Sequence, residues 1–212
     1  PDPQVLSSPC DAIVGACGPL LGRDVIQAKA IAYPLDELLC DADLARRFAD
    51  GCFATLRLTA AMYHRFHAPH DLTVEQVDHV PGDAFNVNPP AVARIRRLYC
   101  RNERAVIRAR LRGGGHPLAL VPVAAILVAG IRLRFVDLPL RGAGSLRCAA
   151  SLRKGEEMGW FEHGSTILVF APSGFVLCDG VARGRRIRVG EPLMRLPAAA
   201  DDGRARPTTG PA

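Results

Sequence analysis

Paired cysteines, lysines and long apolar runs are all scarce in this 212-residue chain. Its seven cysteines are odd in number, scattered, and include no Cys-x-x-Cys pair. Such a set argues against a disulfide scaffold and against a zinc ribbon. We therefore expect reduced cysteines, most of them small core side chains, in a protein of the cytosol.

The longest apolar stretch, residues 118–131, is interrupted by Pro122 and is too short to span a bilayer. The sequence shows no secretory signal peptide. It begins at Pro1 instead of a methionine, so we expect it to be part of a longer protein. Any membrane attachment of this stretch of chain is predicted to be peripheral.

Only two of the 27 basic residues are lysines, Lys29 and Lys154, so the net charge of +6 comes from arginine. A basic surface suits anionic phospholipid head groups or nucleic acid. Zinc-finger spacing and a basic stripe interleaved with aromatic residues are both missing, so nucleic acid is not a predicted partner. A biotinyl or lipoyl carrier is disfavoured too, because neither lysine lies in a suitable hairpin-tip sequence.

Short apolar runs between turn residues predict a mainly β fold of the α+β type, without internal repeats. The predicted strands are 52–58, 105–111, 118–121, 125–131, 166–170 and 175–178. Residues 113–115, all glycine, predict a hairpin turn, and residues 184–193 predict a late hairpin. One helix is predicted over 35–48, with Leu35, Leu38, Leu39, Leu44 and Phe48 on one face and Gly51 beyond its end.

The chain's most distinctive motif is Gly164-Ser165-Thr166, which leads directly into the apolar run 167–170. Because Gly164 has no side chain, its carbonyl can be approached closely and its backbone can take a strained, positive-φ conformation. Ser165 could then attack the carbonyl of Gly164 if another segment supplied a base. Taken alone, Gly-Ser-Thr indicates no more than a turn.

Five further segments give this motif a context. They are Ser8-Pro9-Cys10-Asp11, Tyr63-His64-Arg65-Phe66-His67, Pro81-Gly82-Asp83 continuing to Asn88, Arg101-Asn102-Glu103-Arg104, and Lys154-Gly155 continuing to Phe161. In this order and spacing they resemble the phosphatidylserine decarboxylase family, the self-cleaving pyruvoyl enzymes of phospholipid synthesis. The resemblance covers residues 8–193, nearly the whole chain.

The resemblance implies one catalytic domain over residues 1–196, built on a β core of the barrel-sandwich-hybrid type with a few short helices. Residues 197–212 are rich in Ala, Asp, Arg, Pro and Thr, and their composition predicts a disordered tail. Members of the family usually carry an N-terminal membrane-associating segment, which we expect in the missing part of the protein.

The resemblance also implies the site residues. Ser165 is the nucleophile, His67 its general base, and Asp11 the carboxylate that orients His67, a self-cleavage triad. Cleavage between Gly164 and Ser165 leaves a β chain that ends at Gly164 and an α chain whose residue 165 becomes a pyruvoyl group. His64 is implied in the decarboxylation that follows.

The implied cofactor is this covalent pyruvate, whose ketone condenses with the serine amine of the lipid and accepts electrons as CO2 leaves. The implied substrate is phosphatidylserine in an anionic membrane, and the product is phosphatidylethanolamine. The α and β chains are expected to stay associated, peripherally attached to the cytoplasmic side of the cell membrane. Whether two copies form a homodimer is left open, as is the lipid's acyl or ether backbone.

Some residues allow a second interpretation. His64, His67 and His70 form His-x-x-His-x-x-His, the spacing of a metal cluster on a helix and therefore of a zinc hydrolase, although Pro69 would break such a helix. The resemblance implies no metal. Asp83, Asn86 and Asn88 are predicted to fix a loop by hydrogen bonding, and residues 101–104 form either a structural ion-pair block or a solvated charge run.

The sequence departs from the family pattern at three positions. His163 stands where the family usually has Leu, and Ala12 and Leu72 stand where it has Gly. If the backbone at Ala12 needed a positive φ, a non-glycine residue there would cost about 1 kcal/mol. All three residues of the self-cleavage triad are present, so an active enzyme is predicted.

Overall fold

The computed structural model describes residues 2–28, 31–125, 130–136, 144–162 and 164–198. Strands hold 49% of the structure and helices 11%, which confirms a mainly β fold with a few short helices. The strands within these ranges are β1 (Val5–Ser7), β2 (Ala12–Pro19), β3 (Asp24–Ala28), β4 (Ile31–Pro34), β5 (Cys52–Leu58), β6 (Arg65–His67), β7 (Leu72–Val80), β8 (Arg104–Leu111), β9 (Pro117–Val123), β10 (Ile131–Leu133), β11 (Gly144–Leu152), β12 (Glu157–Phe161), β13 (Ser165–Ala171), β14 (Val176–Leu177), β15 (Arg186–Ile187) and β16 (Pro192–Arg195). The helices are α1 (Leu35–Leu39), α2 (Ala42–Arg46), α3 (Pro89–Arg94) and α4 (Leu98–Arg101).

Eight strands form one antiparallel sheet in the order β11-β7-β8-β9-β13-β5-β2-β15. The strand β13 lies inside this sheet, between β5 and β9, and all of its residues are buried. Its sequence is β-branched and apolar without polar alternation, as expected of a strand covered on both faces. Ser165, its first residue, is therefore placed in the interior of the fold.

Apolar side chains cover both faces of this sheet because successive residues of a strand point to opposite sides. Ile167 and Val169 pack in a first cluster, which includes Phe66 and Phe161 of the three-stranded sheet β10-β12-β6. Leu168 and Phe170 pack in a second cluster, which includes buried side chains of all four helices. The small sheet that carries His67 thus lies against one face of the large sheet.

Two smaller sheets complete the described fold. One has the order β1-β16-β14, and the other pairs β3 with β4. None of the helices in the described part of the chain is both long and apolar enough to cross a bilayer. The seven cysteines are all free thiols.

Several predicted elements are confirmed. The predicted strand 52–58 is β5, and those at 105–111, 118–121, 166–170 and 175–178 lie within two residues of β8, β9, β13 and β14 at each end. The predicted glycine turn joins β8 to β9, with positive φ angles of 89° at Gly113 and 65° at Gly115. The predicted strand 125–131 lies largely outside the described residues, as does the tail from residue 199 onward.

The single helix predicted over 35–48 is wrong. The chain forms α1 and α2 instead, because Cys40 takes a left-handed conformation (φ 53°) and Asp41 starts a new helix. The Asp41 carboxylate accepts hydrogen bonds from the N–H groups of Asp43 and Leu44, at 2.8 and 2.9 Å, as an N-cap. The five apolar residues predicted on the inner face are nonetheless all buried.

The late hairpin predicted over 184–193 is also wrong. Its two arms, β15 and β16, belong to different sheets: β15 pairs with β2, and β16 lies between β1 and β14. The turn between them is real, since the N–H of Glu191 donates to the carbonyl of Arg188 at 3.1 Å. The turn in the sequence therefore predicts a reversal of the chain correctly, but it does not show with which strands β15 and β16 pair.

Candidate active site

The Ser165 side chain is buried, and its hydroxyl is not engaged in a hydrogen bond with the described residues. It is 1% exposed, and its Oγ has no hydrogen-bond partner among the residues that the structure describes. A buried, unpaired hydroxyl costs roughly 1–3 kcal/mol, and an unsatisfied group of this kind often marks a chemical role. The hydroxyl thus fits the precursor of a group made from Ser165 itself.

Gly164 sits directly before β13 and does not take a positive φ. The positive-φ conformation that the sequence allows at this glycine is therefore not adopted. A Cβ at Gly164 would lie 3.4 Å from the carbonyl oxygen of Leu58 and 3.5 Å from the nitrogen of Ala60. These are ordinary van der Waals distances, so a small side chain could be accommodated here.

A cavity of about 330 Å³ opens beside Gly164, with Arg57, Asn86 and Asn88 among its lining residues. The asparagines fix their own loop: Asn86 Oδ1 accepts from the N–H of Asn88 at 2.8 Å, and Asn88 Oδ1 accepts from the N–H of Ala91 at 2.9 Å. These bonds agree with the predicted loop-fixing role. They also hold two polar side chains at the edge of the cavity.

Asn102 fastens the loop that carries these asparagines. It is fully buried; its Oδ1 accepts from the N–H of Phe85 at 3.0 Å, and its Nδ2 donates to the carbonyls of Phe85 and Ala124 at 2.8 and 2.9 Å. Arg104 is also buried and donates to the carbonyls of Leu38 and Cys100. The block 101–104 is therefore structural and not a solvated charge run.

His64 lies between the two segments that flank the Gly164–Ser165 bond. Its Nε2 is 3.1 Å from the carbonyl oxygen of Thr59, one residue beyond the Leu58 that pairs with Ser165. Its own carbonyl accepts from the N–H of Phe161 at 2.9 Å, at the end of β12. Of the two candidate histidines, His64 is the one tied directly to these segments.

His67 lies at the far end of β6. Its Nδ1 is 2.9 Å from the carbonyl oxygen of Gly155, and its Nε2 is 3.1 Å from the hydroxyl of Tyr63. In the sheet register it pairs with Glu157, which contacts Arg134 and Arg65 at 2.8 Å each. These two guanidinium groups hold the pKa of the Glu157 carboxyl below its usual value, so a negative charge persists beside β6.

Asp11 lies near His67 without bonding to it. The Oδ1 of Asp11 accepts from the N–H of Val189 at 2.9 Å, and the N–H of His67 donates to the carbonyl of Pro9 at 2.8 Å. Asp11 and Tyr63 line one cavity of about 350 Å³. Among the described residues no hydrogen bond joins Asp11 to His67, or His67 to Ser165, so the three predicted triad members are not a bonded triad in this state.

The three histidines of the His-x-x-His-x-x-His motif contact different backbone segments. His70 Nε2 lies 2.8 Å from the carbonyl oxygen of Pro3, whereas His64 and His67 face Thr59 and Gly155. In the part of the chain that the structure describes, no three His, Cys, Asp or Glu side chains are grouped to hold a metal ion.

Two of the three departures from the family pattern are accommodated. Ala12 begins β2, is fully buried and has no positive φ, so the possible strain there does not arise. Leu72 begins β7 and packs in the first core cluster. The third, His163, lies outside the described residues.

Comparison with known proteins identifies the family of this chain. The family model for phosphatidylserine decarboxylase matches residues 1–195. The phosphatidylserine decarboxylase proenzyme of Halorhodospira halophila is 43% identical over 201 residues, covering 92% of this chain and 68% of that protein. The protein of the same name from Vibrio cholerae is 41% identical over 89% of this chain and 70% of its own length, and the one from Aliivibrio salmonicida is 36% identical over 92% and 71%. A match over nearly the whole chain, with Gly164 and a buried Ser165 at the start of β13, shows that this chain belongs to the phosphatidylserine decarboxylase family.

Proposed function

We propose that this protein is made as a precursor that cleaves itself between Gly164 and Ser165, and that the cleaved form converts phosphatidylserine to phosphatidylethanolamine and CO2. The observation that carries the proposal is the buried Oγ of Ser165 at the start of β13, which has no partner in the described part of the chain. Curated relatives at 36–43% identity bear the name of a decarboxylase proenzyme, which supports both halves of it.

Self-cleavage begins when His67 takes the proton of Ser165 Oγ, because a serine hydroxyl is a weak nucleophile at neutral pH. An Oγ–C bond forms at the Gly164 carbonyl carbon, the amide C–N bond breaks, and the proton passes to the freed nitrogen. The result is an ester between Gly164 and Ser165. Asp11, which shares a cavity with Tyr63, supports the charged form of His67.

The ester is then removed by elimination. Loss of the Ser165 Cα proton breaks its Cβ–Oγ bond, so Gly164 leaves as a carboxylate and residue 165 becomes a dehydroalanine. Addition of water and departure of ammonia leave a pyruvoyl group, with no net oxidation or reduction. This ketone supplies an electron sink when the lipid loses CO2.

We assign His64 to the decarboxylation that follows cleavage. His64 lies between Thr59 and Phe161, where it can deliver a proton to the substrate carbon from which CO2 departs.

After cleavage β13 remains paired with β5 and β9 on both edges. The α chain is therefore held inside the sheet of the β chain.

We propose peripheral attachment to the cytoplasmic side of an anionic cell membrane. The exposed arginines Arg94 and Arg96 form no ion pair among the described residues, and the same holds for Arg185 and Arg186. Arg97, in contrast, pairs with Glu37 at 3.0 Å. Unpaired arginines near a charged surface contribute about 1 kcal/mol each to binding.

The proposed activity is tested by incubating the purified protein with phosphatidylserine carrying labelled carbon in its serine carboxyl group. Release of labelled CO2 is expected from the unmodified protein and not from Ser165→Ala. Equal release from both proteins, or none from a fully cleaved unmodified protein, would overturn the proposal.

A further inference from the structure

We infer that Arg57 binds the phosphodiester of the lipid head group in the cavity beside Gly164. The inference rests on the proposed function, since it assigns the phosphate of that same substrate. It follows from the register of the sheet, from the unused donors around the cavity, and from the charge changes that decarboxylation requires.

The register places Arg57 next to the cleavage site. On β5 it pairs with Thr166 of β13, while the adjacent Leu58 pairs with Ser165. Directly opposed residues of an antiparallel pair project from the same face of the sheet. Arg57 thus shares a face with Thr166, whereas the Ser165 side chain points to the other face. Arg57 meets the cleavage site around the end of β13, where it and Gly164 line the same cavity.

Arg57 is half-buried and lines the 330 Å³ cavity. It forms no hydrogen bond or ion pair with any residue in the described ranges, although most partly buried arginines of this protein are paired, for example Arg108 with Asp41 and Asp78. Desolvating a charge without a partner is unfavourable. A cation left unpaired beside a cavity therefore indicates an anionic ligand.

Two further donors point to the same ligand. The side-chain oxygens of Asn86 and Asn88 are used within their loop, whereas their Nδ2 groups have no partner among the described residues. None of the described residues that line this cavity carries a carboxylate. A planar guanidinium with amide N–H groups suits the oxygens of a phosphate, and ligand sites span about 300–1,000 Å³, so this one fits a head group.

The phosphodiester is favoured over the serine carboxylate by the direction of the reaction. A guanidinium that held the carboxylate would stabilise a charge that disappears as CO2 leaves, and this would raise the barrier. The phosphodiester keeps its charge from substrate to product. Binding it equally throughout lowers KM without changing kcat.

The test uses the cleaved enzyme and a soluble short-chain phosphatidylserine. We compare Arg57→Gln and Arg57→Lys with the control Arg147→Gln, which makes the same charge change. Arg147 is an exposed arginine in β11, an edge strand that four other strands separate from β5. Intact mass and pyruvate content confirm equal processing first. Arg57→Gln should raise KM about 10- to 100-fold with kcat within about twofold, Arg57→Lys should lie between, and Arg147→Gln should match the unmodified enzyme.

A second measurement separates phosphate from carboxylate. Glycerophosphoethanolamine has the phosphodiester but no carboxylate, and its binding is measured by calorimetry. Arg57→Gln should weaken this binding by the same factor as it raises KM. An unchanged KM, a raised KM with unchanged binding of this compound, or failure of both Arg57 variants to cleave would overturn the inference. If the unmodified enzyme releases no CO2, the proposed function fails, and the calorimetry still tests Arg57.

Discussion

The Tyr63 hydroxyl lies 3.1 Å from Nε2 of His67, and the two rings stack with centroids 5.7 Å apart. On the other side of the imidazole, Nδ1 is 2.9 Å from the carbonyl oxygen of Gly155. A carbonyl only accepts, so Nδ1 carries the proton and Nε2 is the basic nitrogen of the neutral ring. The chain thereby fixes the tautomer that a general base needs, with Tyr63 donating to the reactive nitrogen.

Tyr63→Phe should cleave at least as fast as the unmodified precursor. The change removes a donor that competes with Ser165 for Nε2 of His67, and it keeps the stacked ring. A cleavage time course on a denaturing gel measures the rate. The control is Tyr33→Phe, the same chemical change at a buried hydroxyl that has no partner within the described ranges. A tenfold slower Tyr63→Phe would show that this hydroxyl is part of the cleavage machinery.

His67→Ala and His64→Ala should separate the two reactions. Loss of the base at His67 should slow cleavage by about 10²- to 10⁴-fold, the usual contribution of general-base help. His64→Ala should cleave normally and lose CO2 release, because its proposed task comes after processing. If both variants cleave at the unmodified rate, His67 is not the base.

Asp41→Ala should destabilise the fold by about 1–2 kcal/mol at neutral pH, because it removes the cap of α2 and the contact with Arg108. The Leu44 N–H and then Arg108 hold the pKa of Asp41 below its usual value. This stability is therefore present above the ordinary carboxyl pKa and is lost as the pH falls through the lowered one.

Urea unfolding measures this effect in the Ser165→Ala background, which keeps a single chain. The control is Asp43→Ala, whose carboxylate pairs with the exposed Arg46 in the same helix, and whose loss should cost less than about 0.5 kcal/mol. Equal losses for the two variants, or a loss at Asp41 that persists in acid, would contradict the assignment of the cap.

Binding to anionic vesicles should weaken steeply as salt rises, since exposed charges are screened. Changing Arg94 and Arg96 together to Gln, or Arg185 and Arg186 together, identifies the face in contact, and Arg147→Gln controls for net charge. Co-sedimentation measures the bound fraction. Salt-independent binding, or equal binding to neutral vesicles, would place the attachment in an apolar segment.

Local patterns in the sequence predicted several strands and the inner face of the helical segment correctly. Gly164 and Ser165 stood out because a small hydroxyl precedes an apolar run, and the strands β5, β8 and β13 follow from their composition. The predicted inner face of residues 35–48 is correct for the same reason. What the apolar pattern could not show is the break at Cys40, because it arises from a local cap: the Asp41 carboxylate accepts from the N–H groups of Asp43 and Leu44 and starts a second helix.

Features that depend on long-range strand pairing could not be predicted from the sequence. Arg57 has no local signal, since its place beside Thr166 arises only when β5 pairs with a strand more than a hundred residues later. The late hairpin failed for the same reason: β15 and β16 find partners near the N-terminus of the chain. Asn102 lies in a motif that was recognised, but its task of holding the loop at Phe85 appears only in the fold.

The central claim is that the chain cleaves itself at Ser165, and the mass of the purified protein tests it most directly. Two fragments are expected: one that ends at Gly164, and one that begins at residue 165, carries pyruvate and is blocked to Edman sequencing. Ser165→Ala should remain a single chain. An unmodified protein that keeps its full mass after prolonged incubation would contradict the account.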